Sequence, residues 1–251
     1  MPFHFLFRRS TKSSLHSPNQ DSSRPNGPPA PVSGPSTTQN STQPQRPVYP
    51  WSARRIALPP PLFLARPGTP AQAGPSPSPF PRYGHSLPLV ASQTGELFLF
   101  GGLVRETVKN DLYTFNTRDL AATLVQTTGE IPPPRVGHAS ALVSSVLIIW
   151  GGDTKTRDTD KQDDGLYLLN LGSREWTRVA TKGAAPAGRY GHSVAMCGSR
   201  FYVFGGQVDG EFLNDLWCFD LNTRMCLSLP LPSLVGTTLD SMLSSICLRL
   251  Q

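Results

Sequence analysis

The tetrapeptide Arg189-Tyr190-Gly191-His192 decides the fold, because the same Arg-x-Gly-His pattern also stands at 82–85 and 135–138. The Gly-His pairs follow one another at steps of 53 and 54 residues. A pattern that returns at a nearly constant period is typical of an array of similar structural units. The sequence therefore predicts at least three copies of one unit.

Two further landmarks follow each Gly-His pair. An apolar run enters a pair of glycines, as in the segment 201–206, and a Leu-Tyr or Leu-Trp pair comes soon after, as at Leu216-Trp217. A tryptophan, Trp176, stands later in the second copy. We interpret each unit as four short strands, because the apolar runs are short and no sustained 3.6-residue period appears. The paired glycines are expected to end the second strand, where the backbone needs positive φ or a close approach.

The landmarks together form one structural motif that recurs three times. Its candidate residues are Arg82, Gly84, His85, Gly101, Gly102, Tyr113, Arg135, Gly137, His138, Gly151, Gly152, Tyr167, Trp176, Arg189, Gly191, His192, Gly205, Gly206 and Trp217.

A unit of about 50 residues with these landmarks resembles the kelch repeat. The resemblance implies an all-β fold, a kelch β-propeller in which each repeat forms one four-stranded blade. Three blades can be recognised, at 81–131, 132–185 and 186–225. The first departs from the pattern because no tryptophan follows Tyr113. Leu124-Val125 would fill that place, and we expect a less well packed outer strand there.

The N-terminal third differs from the repeats in composition. Residues 1–80 hold 18 of the 26 prolines and carry a net charge of +7, whereas residues 81–251 carry −1. The basic charge therefore does not belong to the repeats, and a nucleic-acid partner is not expected. Residues 1–47 are rich in Ser and Pro and are predicted to be a disordered leader. No apolar run is long enough to predict a transmembrane segment.

The segments on either side of the repeats bear on how a ring would close. Residues 48–56 resemble the strand around Trp176 and are predicted to be an outer strand that closes the propeller, followed by a Pro-rich linker to residue 80. Residues 226–251 lack repeat landmarks and are predicted to be an atypical tail. Three blades do not close a ring. We expect a truncated or mis-spliced product; a fragment of a larger protein and closure by a second copy are the alternatives.

No catalytic set is recognised in the sequence. His85, His138 and His192 occupy equivalent places in successive blades, so they are expected to be separated and structural rather than metal ligands. The acidic residues between 158 and 164 alternate with basic ones, which is typical of a solvated loop. The four cysteines form no CxxC pair and are expected to be structural and reduced. The sequence predicts no enzyme activity, no metal and no cofactor.

The longest loops join the second and third strands of the three blades, at 103–110, 153–164 and 207–214. They are expected to lie on one face, and their charged side chains favour contact with proteins over an apolar pocket for a small molecule. The candidate partner-binding residues are Arg105, Lys109, Lys155, Arg157, Asp158, Asp160, Asp209 and Glu211.

Three short stretches resemble the fungal tip-elongation-aberrant cell-end polarity markers: Phe5-Leu6-Phe7-Arg8, 49–55 and 79–85. The resemblance implies a non-enzymatic scaffold whose partners are polarity and cytoskeletal proteins, in the cytoplasm and at the cell cortex or tip, reached through those partners. A generic kelch adaptor, for example for ubiquitin ligases, is the alternative. A fragment of a kelch-type metal-dependent enzyme is a weaker one.

Overall fold

The computed structural model describes residues 54–63, 74–157 and 160–230, and within them the regular structure is entirely β. The strands are β1 (Glu96–Val104), β2 (Thr107–Asn116), β3 (Ala122–Val125), β4 (Thr128–Gly129), β5 (Ala139–Val143), β6 (Val146–Trp150), β7 (Leu166–Asn170), β8 (Glu175–Val179), β9 (Ser193–Cys197), β10 (Arg200–Val208), β11 (Glu211–Asp220) and β12 (Cys226–Leu229).

The strands form three sheets, one for each repeat. Blade one has the order β1-β2-β3, blade two has the order β4-β8-β7-β6-β5, and blade three has the order β12-β11-β10-β9. Within each blade, consecutive strands pair antiparallel, except that β4 runs parallel to β8. Strands of different blades come closest at β5 and β9, which places the first strands of neighbouring blades on the inside. The predicted all-β, blade-like architecture is confirmed.

The first strand of blade one is reduced to a single bridge between Ser86 and Phe100. Blade three keeps a full first strand in the same place, β9. Pro88 explains the difference, because proline has no backbone N–H to continue the ladder.

The glycine pairs do not end the second strand in every blade. β6 stops at Trp150, directly before Gly151. In contrast, β1 and β10 run on to Val104 and Val208, with a shift of register at each glycine pair. The prediction was wrong for blades one and three, where a bulge carries the strand through the glycines into a tight hairpin.

The core lies between the blades rather than inside any one of them. Phe98, Phe100 and Leu112 of blade one pack against residues of blade two that include Ile149 and Trp176. A second cluster joins blade two to blade three in the same way. Blade two therefore buries both faces of its sheet, as its continuous apolar run predicted.

The outer strand of blade one is well packed, against expectation. In register, the residue equivalent to Trp176 is Ala122, not Leu124 or Val125, because Trp176 pairs with Leu169 and Ala122 pairs with Phe115. Ala122 is 1% exposed. In blade two the aromatic residue of this cross-strand pair is Trp176 in the outer strand, whereas in blade one it is Phe115 in the third strand. Each pair therefore contains one large ring.

Blade three contains a fourth strand that the sequence pattern missed. β12 begins at Cys226, the residue with which the predicted atypical tail begins. Cys226 pairs with Phe219, again a small residue opposite an aromatic one. The predicted end of blade three at residue 225 therefore falls before its fourth strand and was wrong. The prediction treated the absence of a tryptophan as the absence of the strand.

The link that enters each blade runs parallel beside the outer strand of that blade. The backbone N–H groups of Ala57, Thr128 and Lys182 donate to the carbonyls of Leu120, Arg174 and Arg224, at 3.0, 3.0 and 2.8 Å. In the outer strands, Ala122 of blade one pairs with Phe115, and Trp176 of blade two pairs with Leu169. Thr128 comes six residues after Ala122, and Lys182 comes six residues after Trp176.

Ala57 likewise comes six residues after Trp51, so the register agrees with the predicted closing strand at 48–56. Residues 48–53 lie outside the described residues, as does the predicted leader at 1–47, and both assignments stay predictions.

Candidate functional site

The arginine of each Arg-x-Gly-His motif is a buried clamp. In blade two, Arg135 is 0% exposed and its guanidinium donates to the carbonyl of Gly151 at 2.8 Å and to the carboxylate of Asp163 at 2.7 Å. The same guanidinium lies over the ring of Tyr167, 5.1 Å from its centre. The charge-assisted hydrogen bonds and the cation–π contact with the ring together offset the free energy that the guanidinium loses when it leaves water.

The clamp is repeated in the other blades. Arg82 donates to Asp111 at 2.8 Å and to the carbonyl of Gly101 at 2.7 Å. Arg189 donates to Asp215 at 2.6 Å and to the carbonyl of Gly205 at 3.1 Å.

The acidic partner of each clamp was not predicted from the sequence, although two of the three partners belong to the recurring landmarks. Asp111 and Asp215 open the Asp-Leu-Tyr and Asp-Leu-Trp landmarks, but blade two has Gly165 at that place. There Asp163 takes over from two residues earlier. Its assignment to a solvated acidic loop was wrong, because it is the counter-ion of a buried arginine.

In blade two the clamp fixes both ends of the loop between the second and third strands. In blades one and three this connection is a tight hairpin whose strands reach Val104 and Val208, so the prediction of long loops at 103–110 and 207–214 was wrong. In blade two the bonded carbonyl, Gly151, opens the loop, and the bonded carboxylate, Asp163, closes it. A loop whose ends are held by a buried ion pair can present its middle to a partner at little entropic cost.

The glycine pairs make room for histidines of two different blades. A side chain on Gly101 would meet His138 of the next blade at 2.9 Å, and one on Gly151 would meet His192 in the same way. A side chain on Gly102 would instead meet the backbone of His85 in its own blade, at 2.7 Å. The motif is therefore a joint between neighbouring blades.

His138 and His192 lie in that joint and are neutral near pH 7. The pKa of His138 is lowered to about 3 and that of His192 to about 4, first because burial removes water from the charged form and then because Arg135 and Arg189 lie close. His138 packs edge-on against Phe100. Within the part of the chain that the structure describes, no group of three His, Cys, Asp or Glu residues could hold a metal ion.

The residue after each Gly-His pair lies near the histidine of the following blade and can offer it a hydrogen-bond partner. Ser86 Oγ lies 2.7 Å from Nε2 of His138, at hydrogen-bond distance. The corresponding residue for His192 is Ala139, which offers no hydroxyl to the buried Nε2 of His192. Ser193, the third residue of this type, is exposed.

We expect Ser86→Ala to lower the free energy of unfolding by about 1–2 kcal/mol, because the buried His138 nitrogen loses its partner. Ala139→Ser should raise it by about 0.5–1.5 kcal/mol, because it gives His192 the hydroxyl partner that Ser86 gives His138. Urea unfolding of the purified chain measures both, and Ser193→Ala is the matched control with no expected change. Destabilisation by Ala139→Ser would contradict the pairing of blades described here.

The predicted loop residues lie at one end of the blades, and two loops are joined there. Lys155 of blade two and Asp209 of blade three form an ion pair at 2.6 Å. Asp160 accepts hydrogen bonds from Thr156 and Arg157, which hold the loop of blade two in shape and lower the pKa of its carboxyl.

The remaining predicted loop residues differ in their surroundings. Arg105, Arg157 and Glu211 are exposed, while Lys109 is half-buried and its carbonyl accepts from the N–H of Arg135. Asp158 lies outside the described residues.

Two exposed aromatic side chains lie at this same end and were not predicted as site residues. Tyr83 is 64% exposed and its backbone pairs with Leu103, at the start of the first loop. Phe212 is 84% exposed and pairs with Gln207 beside the hairpin of blade three. We call the surface formed by Tyr83, Phe212 and the three loops the loop face.

A cleft lies at a different place on the blades. It measures about 460 Å³, lies between blades one and two near the turns at 92–95 and 144–145, and has an apolar floor that includes Phe98 and Leu112. The loop face itself presents charged and aromatic side chains to solvent.

The cysteines do not all match the expected reduced state. Cys218 and Cys226 are free and buried, and burial raises the pKa of Cys226 to about 11. Cys197 takes part in a disulfide bond, so for this residue the prediction was wrong.

Sheets that pack face to face and are joined by an arginine, a glycine pair and a histidine define the blades of a β-propeller of the kelch type. The family described as the KLHDC2/KLHL20/DRC7 Kelch-repeats domain matches residues 84–235. The chain belongs to the kelch-repeat family, and the resemblance seen in the sequence is confirmed. The match runs past residue 225, in agreement with the position of β12.

Known relatives share these repeats but are much longer. The chain is 43% identical over 143 residues to Tip elongation aberrant protein 1 of Schizosaccharomyces pombe, and the aligned region covers 57% of this chain and 12% of that protein. It is 37% identical over 156 residues to Kelch repeat-containing protein 2 of Saccharomyces cerevisiae, covering 58% and 18%. It is 33% identical over 175 residues to Kelch domain-containing protein 3 of Bos taurus, covering 65% and 44%. The chain therefore spans less than half of each of these relatives.

No helix in the described part of the chain has the length and hydrophobicity needed to cross a membrane.

Proposed function

We propose that this chain is a non-enzymatic scaffold that binds other proteins through its loop face. One observation carries the proposal: loops of neighbouring blades, anchored by buried clamps, meet through the Lys155–Asp209 ion pair beside exposed aromatic side chains. Tyrosine and other aromatic residues are enriched among the residues that dominate binding energy at protein interfaces. Rigid loops of mixed charge supply the polar rim that such interfaces have.

We further propose that the partners are polarity and cytoskeletal proteins, met in the cytoplasm and at the cell cortex or tip. The 43% identity to Tip elongation aberrant protein 1 supports this choice. The alternative is a kelch adaptor with other partners, and the similarity to Kelch domain-containing protein 3 is equally compatible with it.

The loop face can be tested with the full chain as immobilised bait in a fission-yeast extract. We expect polarity and cytoskeletal proteins to be captured, and the double variant Tyr83→Ser with Phe212→Ser to reduce their capture about tenfold or more. Quantitative mass spectrometry of the bound proteins measures the ratio.

Leu89→Ser is the matched control, because Leu89 is 93% exposed but lies toward the turn at 92–95, at the opposite end of blade one. Equal loss with the control variant would exclude the loop face as the binding surface. Capture of ubiquitin-ligase components instead of cytoskeletal proteins would favour the adaptor.

A further inference from the structure

The hairpin of blade three carries one large apolar side chain out into solvent. Its strands pair as far as Val208 and Glu211, and Asp209 and Gly210 form the two-residue turn with φ of 49° and 90°. Positive φ at both central residues is typical of a type I′ turn, whose twist matches that of the flanking strands. Phe212 follows this turn and is 84% exposed. An aromatic side chain on a well-defined hairpin can contact a partner at little cost in backbone entropy.

Phe212 belongs to a row of three side chains on the side of the sheet that faces blade two. Tyr190 pairs with Gln207, and Gln207 pairs with Phe212. Directly opposed residues of antiparallel strands share one side of a sheet. Tyr190 lies toward blade two, because its Cβ is 3.5 Å from the position that a Cβ on Gly137 would occupy. Tyr190 is partly covered there, whereas Phe212 extends into solvent at the end of the row.

The charged side chains around this row are mostly carboxylates. The loop of blade two contributes Asp153 and Lys155, and the hairpin of blade three contributes Asp209 and Glu211. Three carboxylates and one ammonium group give a net charge of −2. Burial raises the pKa of the Tyr190 hydroxyl, and the carboxylates of Asp153 and Asp209 raise it further. The negative charge of both blades therefore acts on the row.

The carboxylate of Asp209 is accessible to a second cation. One of its oxygens bonds to Nζ of Lys155 at 2.6 Å, yet the Asp209 side chain is 70% exposed. A carboxylate can accept from several donors, so an added guanidinium or ammonium group need not displace Lys155. Arg157 and Asp160, farther along the loop of blade two, add one charge of each sign and leave the net charge unchanged.

We call this part of the loop face the hairpin surface. It consists of Asp153, Tyr190, Asp209, Glu211 and Phe212. We propose that the hairpin surface binds a partner segment in which an apolar side chain stands beside lysine or arginine. The inference rests on the proposed function, because it assigns a partner chemistry to one part of the loop face.

The two kinds of side chain on the hairpin surface have separate roles in this proposal. The ring of Phe212 packs against the apolar side chain of the segment and attracts its cation. The carboxylates accept charge-assisted hydrogen bonds from the basic group. An acidic segment is rejected by the same carboxylates, so the surface selects against it as well as for a basic one.

Selection of short random peptides displayed on phage, with the full chain as target, tests this chemistry. We expect lysine and arginine to be enriched, and aspartate and glutamate depleted, relative to the unselected library. For the most enriched peptide, synthesised with a fluorescent label, Glu211→Lys should raise the dissociation constant about tenfold. Glu211 is the chain neighbour of Phe212 but lies on the opposite side of the strand, so this change alters the field without touching blade two. Fluorescence anisotropy measures the constant.

Glu175→Lys is the matched control, because Glu175 is exposed and begins β8 at the opposite end of blade two. Enrichment of acidic peptides, no enriched peptide, or an equal loss with the control would overturn the basic partner. Peptides that need Tyr83 and Phe212 but bind equally to the Glu211→Lys chain would also overturn it, while the loop face would stand as the binding surface. Peptides that bind equally to the double variant Tyr83→Ser with Phe212→Ser would refute both the loop face and the basic partner.

Discussion

Replacing Arg135 by alanine is expected to lower the free energy of unfolding by about 3–5 kcal/mol, which is the usual cost of removing one member of a buried ion pair. The guanidinium is fully buried and bonds to Asp163 at 2.7 Å and to the carbonyl of Gly151 at 2.8 Å. Its removal leaves a carboxylate and a carbonyl without their donors and opens a cavity beside Tyr167. Chemical unfolding of the full chain, followed by tryptophan fluorescence, measures the loss.

Arg178→Ala is the matched control for this prediction. Arg178 approaches the same Asp163 at 3.7 Å and Asp164 at 3.4 Å, but its side chain is 49% exposed. Surface pairs contribute about 0–1 kcal/mol, so the control should change stability by less than about 1 kcal/mol. A cost for Arg135→Ala as small as that of Arg178→Ala would show that the clamp does not hold blade two together.

Sequence reasoning located the repeating frame well because the frame depends on local residue types. The apolar runs, the glycine pairs and the Arg-x-Gly-His motifs stand where the period places them, and each marks a strand or a joint. The second strand of blade two, β6, ends directly before Gly151 as predicted.

The errors about the outer strands arose because the large and the small residue of a cross-strand pair change places between blades, and only the strand register shows this. Trp176, Ala122 and Cys226 occupy equivalent places, and the bulk that Trp176 supplies in blade two comes from Phe115 and Phe219 in the other blades. A single landmark residue is therefore a poor marker of a strand when its cross-strand partner can take over its volume.

The acidic half of the clamp shows the same limit. Asp163 could not be told from its neighbours in a charged loop, because its role depends on the buried guanidinium that the fold brings to it. The exposed aromatic residues of the loop face were missed for a related reason: exposure of Tyr83 and Phe212 is a property of the assembled blades. The sequence predicted the connections that lie at this end of the blades, and the structure adds two exposed aromatic side chains beside them.

Gly102 marks the closest approach within the joint, and Gly102→Ala is expected to lower the free energy of unfolding by about 2–5 kcal/mol. Its φ of 92° costs an alanine about 1–2 kcal/mol, because the left-handed region brings Cβ close to the backbone. The new Cβ would also lie 2.7 Å from the backbone nitrogen of His85 and from the carbonyl oxygen of Tyr83. Overpacking of this kind costs about 1–3 kcal/mol more, since backbone atoms cannot rotate away.

Gly210→Ala separates the two contributions, because Gly210 has nearly the same φ, 90°, but no described atom lies within 4 Å of the position that an alanine Cβ would occupy there. We expect this control to cost about 1–2 kcal/mol, from the backbone conformation alone. The difference between the two variants in urea unfolding then measures the crowding at the joint. Because Gly102 also donates its N–H to the carbonyl of Arg135 at 2.8 Å, the crowding should loosen blade two as well as blade one. Faster amide hydrogen exchange in β6 of the Gly102→Ala chain would report that coupling, and equal costs for the two alanine variants would refute the close approach.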